Sequence, residues 1–183
     1  MSKIIEIDQT WTLFLDRDGV INHQKEGGYI LNWSEFKFYE GVTAAMKQFS
    51  QQFGKIFIVT NQKGVGKGVM TEEDLKIIHQ NMLHHIQIAG GRIDAFYYCI
   101  DTSTDSPCRK PNAGMALQAR IDFSTIEFNK SIMVGNSLSD MEFGRNFGST
   151  NVFLNTTNFE VDSSDKRVDF CFNSLIDFAN NIK

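Results

Sequence analysis

The chain has 183 residues, 42% hydrophobic and 22% charged, which excludes a disordered or fibrous protein and suits one domain with a sizeable core. The formal net charge of −4 argues against nucleic-acid or anionic-membrane partners, and no apolar run reaches the roughly 20 residues that span a bilayer. Residues 1–8 lack the apolar core of a signal peptide, so we expect a cytoplasmic protein. Cys99, Cys108 and Cys171 are odd in number, which argues against a disulfide framework.

Apolar runs and helical periodicities alternate along the chain, which predicts an α/β fold with a parallel sheet covered on both faces. The predicted strands cover residues 11–15, 56–59, 96–100, 131–135 and 151–154, with a further edge strand at 168–172. The predicted helices cover residues 41–53, 71–89, 111–120, 137–147 and 174–181. The aromatic-rich segment 23–39 has no sustained period and predicts a long loop over the end of the first strand. We expect residues 1–183 to form a single domain.

The first predicted strand ends on two carboxylates, Asp16 and Asp18, followed by Gly19. Side chains two residues apart in an extended segment point to the same side, so both acids converge where open α/β sheets bind ligands. Two like charges this close need a metal ion or a shared proton, and their pKa values are pushed apart. The residues alone leave open an acidic loop with solvated aspartates.

Polar residues also follow the second predicted strand. Thr60 and Asn61 offer a hydroxyl and an amide suited to holding anionic oxygens, although a simple turn is the other interpretation. The glycine-rich segment 63–68 lacks the spacing of a phosphate-binding P-loop, because Lys67 is followed by Gly68 and not by Ser or Thr. We therefore predict a flexible loop near the site, with Lys67 as a candidate substrate contact.

Two further segments carry charged groups at strand ends. Arg109 and Lys110 precede a proline that opens a predicted helix, where they can be presented to an anion or can form a surface basic pair. Asn136 and Asp140 are four residues apart at the start of the next helix, which places them on one helical face if both are helical. Helix capping is the alternative explanation for that spacing.

Taken in order, these segments resemble the haloacid dehalogenase superfamily. The motifs that carry the resemblance are DRDGVIN, GGY, VTNQKGVGKG, CRKPNAGM and VGNSLSD, which begin at residues 16, 27, 59, 108 and 134. The chain is most similar to the small subfamily IIIA phosphatases related to histidinol-phosphate phosphatase and D-glycero-D-manno-heptose 1,7-bisphosphate phosphatase. The resemblance implies a three-layer, doubly wound, Rossmann-like sheet without a large cap domain.

The resemblance also implies a Mg²⁺-dependent phosphomonoesterase. Asp16 would attack phosphorus and form an aspartyl-phosphate, while Asp18 would protonate the leaving alcohol and then activate water. The metal would be held by the Asp16 carboxylate, the Asp18 carbonyl and the last motif, with Asn136 and Asp140. The phosphoryl group would be bound by Thr60, Asn61 and Lys110, and the rest of the substrate by Arg109.

The implied substrate is a small sugar phosphate, bound by a monomer with no nucleic-acid or membrane partner. Heptose 1,7-bisphosphate is preferred over histidinol phosphate because the GGY and GVGKG loops look closer to that branch. A phosphatase of nucleic-acid 3′ ends has a similar site, but the negative net charge counts against it.

The sequence departs from the family at two places. Asn136 stands where the family usually has an aspartate, which predicts activity with weaker Mg²⁺ binding. Close relatives often carry four soft zinc ligands, but the corresponding positions here read Cys99, Asp101, Ser106 and Cys108. We therefore expect no structural Zn²⁺.

Two interpretations from other functional classes stay open. A receiver-like signalling module could use Asp101 as phosphoacceptor, although that leaves Asn61, Arg109 and Asp140 unexplained. The missing carboxylate at Asn136 is also compatible with an inactive protein that binds sugar phosphates.

Overall fold

A six-stranded parallel sheet runs through the residues that the computed structural model describes, 6–157 and 165–183. The strands are β1 (Thr12–Leu15), β2 (Lys55–Asn61), β3 (Ala95–Cys99), β4 (Ser131–Gly135), β5 (Thr150–Leu154) and β6 (Phe170–Phe172). The helices are α1 (Val42–Gln52), α2 (Lys63–Gly66), α3 (Glu72–Ile88), α4 (Gly114–Asp122), α5 (Leu138–Phe147) and α6 (Leu175–Ala179). The strand order is β3-β2-β1-β4-β5-β6, and every neighbouring pair is parallel, which confirms the predicted α/β class.

The sheet is covered on both faces because consecutive residues of its central strands are apolar and point to opposite faces. Leu13 and Leu15 of β1 pack into a cluster with α1, α3 and α6, whereas Phe14 packs on the other face with α4 and α5. All three side chains are fully buried. The result is the three-layer arrangement that the sequence predicted.

The parallel register brings the functional strand ends to one edge of the sheet. Strand β1 lies between β2 and β4, with Leu15 opposite Ile58 and Val134. The segments that follow these three strands therefore meet at the centre of the carboxyl edge, the place where ligands bind in such sheets. Among the described residues of the 16–41 connection, the 3₁₀ turn Trp33–Glu35 is the single helical element, and no cap domain is inserted there.

The glycine-rich loop differs from its prediction. The sequence predicts a flexible loop over residues 63–68, but the first part of this segment is the one-turn helix α2. Gly66 packs against the backbone carbonyl of Ile100 so closely that a side chain would overlap it, and Gly64 lies against Tyr29. The glycines allow close packing of this turn.

The cysteines also differ from their prediction. Cys99 and Cys108 form a disulfide, although the odd number of cysteines argued against a disulfide framework, and Cys171 is free and exposed. The chain leaves β3 at Cys99 and returns beside it, which brings the two Cα atoms to 5.6 Å, within the usual range for a disulfide. Three cysteines can form at most one disulfide and must leave one thiol free, and this is the arrangement found.

Two other sequence expectations concern the membrane and the amino terminus. None of the helices in 6–157 and 165–183 is long and apolar enough to cross a bilayer. Most of the amino-terminal segment used to predict a cytoplasmic location, residues 1–5, lies outside the described residues.

Truncating a buried side chain of the sheet should leave a cavity and lower the free energy of unfolding. The buried ring of Phe57 contacts the rings of Phe14, Tyr97 and Phe123, so F57A should lower the free energy of unfolding by roughly 3–5 kcal/mol. Urea denaturation followed by circular dichroism measures this change. The matched control I121A removes an apolar side chain that is 74% exposed and should change stability by less than about 0.5 kcal/mol. Equal effects of the two substitutions would contradict this placement.

Candidate active site

A buried lysine lies between two buried carboxylates at the carboxyl edge of the sheet. Lys110 Nζ is 2.8 Å from Asp16 Oδ1 and 2.6 Å from Asp140 Oδ1, and it also donates to the Val59 carbonyl at 2.9 Å. The Asn61 amide holds the Lys110 backbone from both sides, accepting from its N–H at 3.0 Å and donating to its carbonyl at 3.1 Å. The ends of β1, β2 and β4 are thus tied together through one ammonium group.

The ionisation of this group follows from burial and charge. Burial raises the pKa of Asp16 to about 7, and the Asp140 carboxylate adds to the rise while Lys110 opposes it. Burial acts to lower the pKa of Lys110, but Asp140 and Asp16 outweigh it and hold that pKa above its ordinary value. Lys110 therefore stays an ammonium ion, and it favours the ionised form of the Asp16 carboxyl.

The second acid of the pair is held in a different way. Arg17 NH2 donates to both oxygens of Asp18 at 2.8 Å, Asn22 donates to Oδ1 at 2.9 Å and Gln62 to Oδ2 at 3.0 Å. Burial acts to raise the pKa of Asp18, but the Arg17 charge and these hydrogen bonds outweigh it, so the pKa lies below its ordinary value. The carboxylate has a fixed orientation and is ionised at neutral pH.

Asp16 and Asp18 have different surroundings, and their pKa values shift in opposite directions, as a pair of adjacent carboxylates predicts. Asp16 accepts hydrogen bonds on Oδ1, from Lys110 and from the Arg17 backbone N–H at 2.8 Å. Among residues 6–157 and 165–183, none donates a hydrogen bond to its other oxygen, Oδ2. The Asp18 side chain is 29% exposed and lines a cleft, so it can reach a substrate from the solvent side.

Asn136 lies against the loop that carries these acids. Gly19 has φ +88°, and a side chain there would overlap the Asn136 amide, so glycine allows the close approach. Asn136 is 4% exposed, and its amide nitrogen has weak contacts of 3.5 Å to Gln24 and Thr157. Its side chain can thus offer an oxygen at the Asp16 loop.

Asp140 is used differently from Asn136. Its Oδ2 accepts hydrogen bonds from the Asn136 N–H at 3.2 Å, from the Ser137 N–H at 3.1 Å and from the Ser137 hydroxyl at 2.7 Å, forming the capping box of α5. Its Oδ1 contacts Lys110. The helix cap that the sequence left open is therefore present, and the same carboxylate also forms an ion pair with Lys110, which the sequence did not predict.

The donor set at this edge fits a hard divalent cation. Three buried or half-buried carboxylates, Asp16, Asp18 and Asp140, face two buried cations, Arg17 and Lys110. A cation beside Asp16 would balance the excess negative charge and would favour its ionised form. Carboxylate, carbonyl and amide oxygens are the ligands that Mg²⁺ takes in proteins.

The sequence also predicts phosphate or substrate contacts at Thr60, Asn61, Arg109 and Lys67, which have the following partners. Thr60 is 1% exposed, and its hydroxyl accepts from the Gln62 amide at 2.9 Å. Arg109 donates to the Asp101 carbonyl at 3.2 Å, and Lys67 Nζ lies 5.5 Å from the centre of the Tyr29 ring. Asn61 braces Lys110, so its amide does not point freely at a ligand.

A cleft of about 390 Å³ opens beside Asp18. It is bounded by the segment 24–30, which contains the GGY motif, and by the end of β2. Arg17, Asp18 and Gln62 contribute its polar floor, and Tyr29 and Ile30 add apolar surface. Its size suits a small ligand that carries several polar groups.

The positions that correspond to zinc ligands in close relatives do not form a thiolate site. The sulfurs of Cys99 and Cys108 are bonded to each other, and the Ser106 hydroxyl donates to Asp101 Oδ2 at 2.5 Å. A disulfide does not supply the thiolate ligands of a structural zinc site, so these four residues in this state do not fit that metal. The expectation of no structural Zn²⁺ stays a prediction.

Sequence reasoning missed three residues of the site. Arg17, 1% exposed, and Gln62, 4% exposed, both bind Asp18. The signal for Arg17 was its place between two acids just past a buried strand. The signal for His79 is its place in the apolar stripe of α3, with Leu75 and Met82, because that stripe faces the core and buries the imidazole.

Comparison with known proteins agrees with this geometry. The sequence profile of the family described as polynucleotide kinase 3 phosphatase matches residues 8–182. The D-glycero-α-D-manno-heptose-1,7-bisphosphate 7-phosphatase of Mycobacterium bovis is 38% identical over 92% of this chain and 90% of its own length. The corresponding β-heptose enzyme of Salmonella typhi is 33% identical over 93% of this chain and 94% of its own length.

Solved structures show the same fold. The D,D-heptose 1,7-bisphosphate phosphatase of B. bronchiseptica, solved with magnesium and phosphate, has a TM-score of 0.83 at 23% identity. That alignment covers 93% of this chain and 96% of the other. The match of family, relatives and fold agrees with the motifs around Asp16, Thr60, Lys110 and Asn136. The chain therefore belongs to the polynucleotide kinase 3 phosphatase family, within the haloacid dehalogenase superfamily that its sequence motifs resemble.

Proposed function

We propose that this protein is a Mg²⁺-dependent phosphomonoesterase that removes the 7-phosphate of D-glycero-D-manno-heptose 1,7-bisphosphate. The observation that carries the proposal is the buried Asp16 carboxylate, held by Lys110 beside an oriented Asp18 that faces the cleft. The names of the relatives at 33–38% identity support the choice of substrate. Two anomeric forms appear among those names, so both belong in the test.

In the proposed reaction, Asp16 is the nucleophile. Its free carboxylate oxygen forms a bond to phosphorus as the ester P–O bond breaks, and the departing alkoxide takes a proton from Asp18. A water then gives its proton to Asp18 and attacks phosphorus, which releases inorganic phosphate and restores the Asp16 carboxylate. Lys110 supports this role because its ammonium group favours the ionised form of Asp16.

Asp18 must carry a proton in the first half of this reaction. The Arg17 pairing holds the pKa of Asp18 low in the substrate-free site. A bound phosphoryl group places like charge beside Asp18, and like charge raises the pKa of a carboxyl. We propose that substrate binding itself shifts Asp18 toward the protonated form.

The Asp16 carboxylate, the Asp18 carbonyl and the Asn136 amide oxygen would hold Mg²⁺. When bound, the ion supplies positive charge that stabilises the phosphoryl oxygens in the transition state. We assign Asp140 an indirect role, because both of its oxygens already contact Lys110 and the start of α5. A direct bond from Asp140 to the metal would replace one of those contacts.

The rest of the substrate would occupy the cleft beside Asp18. Thr60 would bind the transferring phosphoryl group together with Lys110, and Asn61 would act through Lys110, whose backbone it holds. Lys67 lies near Tyr29, which lines the cleft, and Lys67 and Arg109 would bind the second phosphate of a bisphosphate. We further propose that the protein acts as a cytoplasmic monomer on this small ester, which agrees with its net charge of −4.

A phosphate-release assay tests the function. We expect turnover of heptose 1,7-bisphosphate in the presence of Mg²⁺ and little or none without it, with one anomer favoured. D16N should lower the rate by a factor on the order of 10³ or more, because the nucleophile is lost. E73Q removes a carboxylate whose side chain is 72% exposed and should leave the rate unchanged.

Competing functions give other results in the same assay. Preferential hydrolysis of histidinol phosphate, or of a 3′-phosphorylated oligonucleotide, would reassign the substrate. Stable phosphorylation of the protein without turnover would indicate a receiver-like module, and binding of sugar phosphates without chemistry would indicate an inactive binder. Full activity in folded D16N would refute the assignment of the nucleophile.

The amide at position 136 predicts a measurable metal phenotype. N136D adds a carboxylate beside Asp16, so the Mg²⁺ concentration for half-maximal activity should fall about fivefold. Without metal, the added charge faces other carboxylates, so the melting temperature should drop below that of the wild type and recover with Mg²⁺. The exposed substitution N32D makes the same charge change and should alter neither quantity. Unchanged Mg²⁺ affinity in N136D would contradict the placement of Asn136 at the metal.

A further inference from the structure

The side chain of Arg17 continues the Asp18 network away from the cleft. Arg17 is 1% exposed, and its NH2 group is committed to the two Asp18 oxygens. Its other terminal nitrogen, NH1, lies 3.4 Å from Nε2 of His79 on α3. The N–H groups of a buried guanidinium need hydrogen-bond acceptors, because burying a charged donor without a partner costs folding free energy.

The direction of this hydrogen bond fixes the state of His79. Arginine does not give up its proton in proteins, so His79 Nε2 must be the acceptor and the ring proton must be on Nδ1. Burial, together with the Arg17 charge, lowers the pKa of His79 to about 3, which keeps the ring neutral. The ring is 6% exposed and stacks on Phe96 at 4.7 Å with an interplanar angle of 15°. Helix α3 and strand β3 therefore hold the acceptor in place.

We propose that His79 is a positioning residue, which fixes the Arg17 guanidinium by accepting its NH1 hydrogen bond and thereby orients the Asp18 carboxylate for proton transfer. This inference rests on the proposed role of Asp18 and extends it to a residue in the core. The chain of contacts runs from Phe96 through the imidazole and the guanidinium to the acid. It explains why a histidine occupies the apolar stripe of α3.

The consequence differs between the two halves of the reaction. An aryl phosphate has a leaving group that needs little protonation, so a displaced Asp18 would slow mainly the attack of water on the aspartyl-phosphate. Hydrolysis of p-nitrophenyl phosphate would then begin with a burst of p-nitrophenol. The side chain of His79 does not line the cleft, so substrate binding should be preserved.

The test compares two substitutions at His79 with one on the same helix. H79F keeps an aromatic ring against Phe96 but removes the acceptor, and H79Q places an amide oxygen near the position of Nε2. We expect H79F to lower kcat about tenfold with KM within about twofold, and to show the burst, while H79Q regains most of the wild-type rate. H84F changes an exposed histidine of α3 and should leave kcat unchanged.

A double-mutant cycle with Arg17 isolates the coupling. R17K removes the guanidinium that contacts both Asp18 and His79. The double variant R17K/H79F should therefore have a kcat less than about twofold below that of R17K alone. Wild-type kcat in H79F, equal loss in folded H79F and H79Q, or a loss confined to KM would overturn the proposal. Full additivity of the two substitutions would also overturn it.

A measurement on the unmodified protein decides the matter if H79F does not fold. The ¹⁵N chemical shifts of the His79 ring should show a neutral imidazole with the proton on Nδ1 and none on Nε2. A protonated Nε2 would overturn the proposal. This measurement does not depend on turnover, so it tests the inference by itself. Failure of the proposed function would be seen separately, as absence of phosphate release by the wild type.

Discussion

The buried Lys110 ammonium between Asp16 and Asp140 is the interaction on which the rest of the site depends. Without it, two carboxylates would face each other in a region from which water is largely excluded, and one of them would have to take up a proton. The lysine thus keeps the edge of the sheet compatible with an anionic nucleophile. Breaking such a buried pair costs far more than breaking a pair on the surface, because the remaining charge has no partner.

The position of Lys110 is set by the elements around it and not by its own flexible side chain. The backbone N–H and carbonyl of Lys110 are both hydrogen-bonded to the Asn61 side-chain amide at the end of β2. Its ammonium group donates to the Val59 carbonyl. The preceding loop is closed by the Cys99–Cys108 disulfide, which ties Cys108 back to the end of β3. Backbone and side-chain contacts from two strands therefore place one charge, which suits a group that must be fixed before a substrate arrives.

The sequence predicted the fold and the position of the site because both depend on local pattern. The unbroken apolar run Leu13, Phe14 and Leu15 predicts a strand buried on both faces, and the acids that follow must lie at the carboxyl edge of a parallel sheet. The partner of each charge could not be predicted, since it depends on which side chains meet across the fold. The Lys110 pairing with Asp140 and the Cys99–Cys108 disulfide are contacts of that kind.

Two networks hold the two acids, and Arg17 takes part in both. Its backbone N–H donates to Asp16, which Lys110 also binds, whereas its side chain donates to Asp18. The Gln62 amide donates to Asp18 at 3.0 Å and to Thr60 at 2.9 Å. The Asp16 network is enclosed, while Asp18 borders the cleft and the segment 24–30. A ligand in this cleft therefore contacts Asp18, the proposed proton donor, without lying against Asp16. In the proposed reaction the leaving group lies on the Asp18 side, so substrates can differ there while the contacts of Asp16 stay the same.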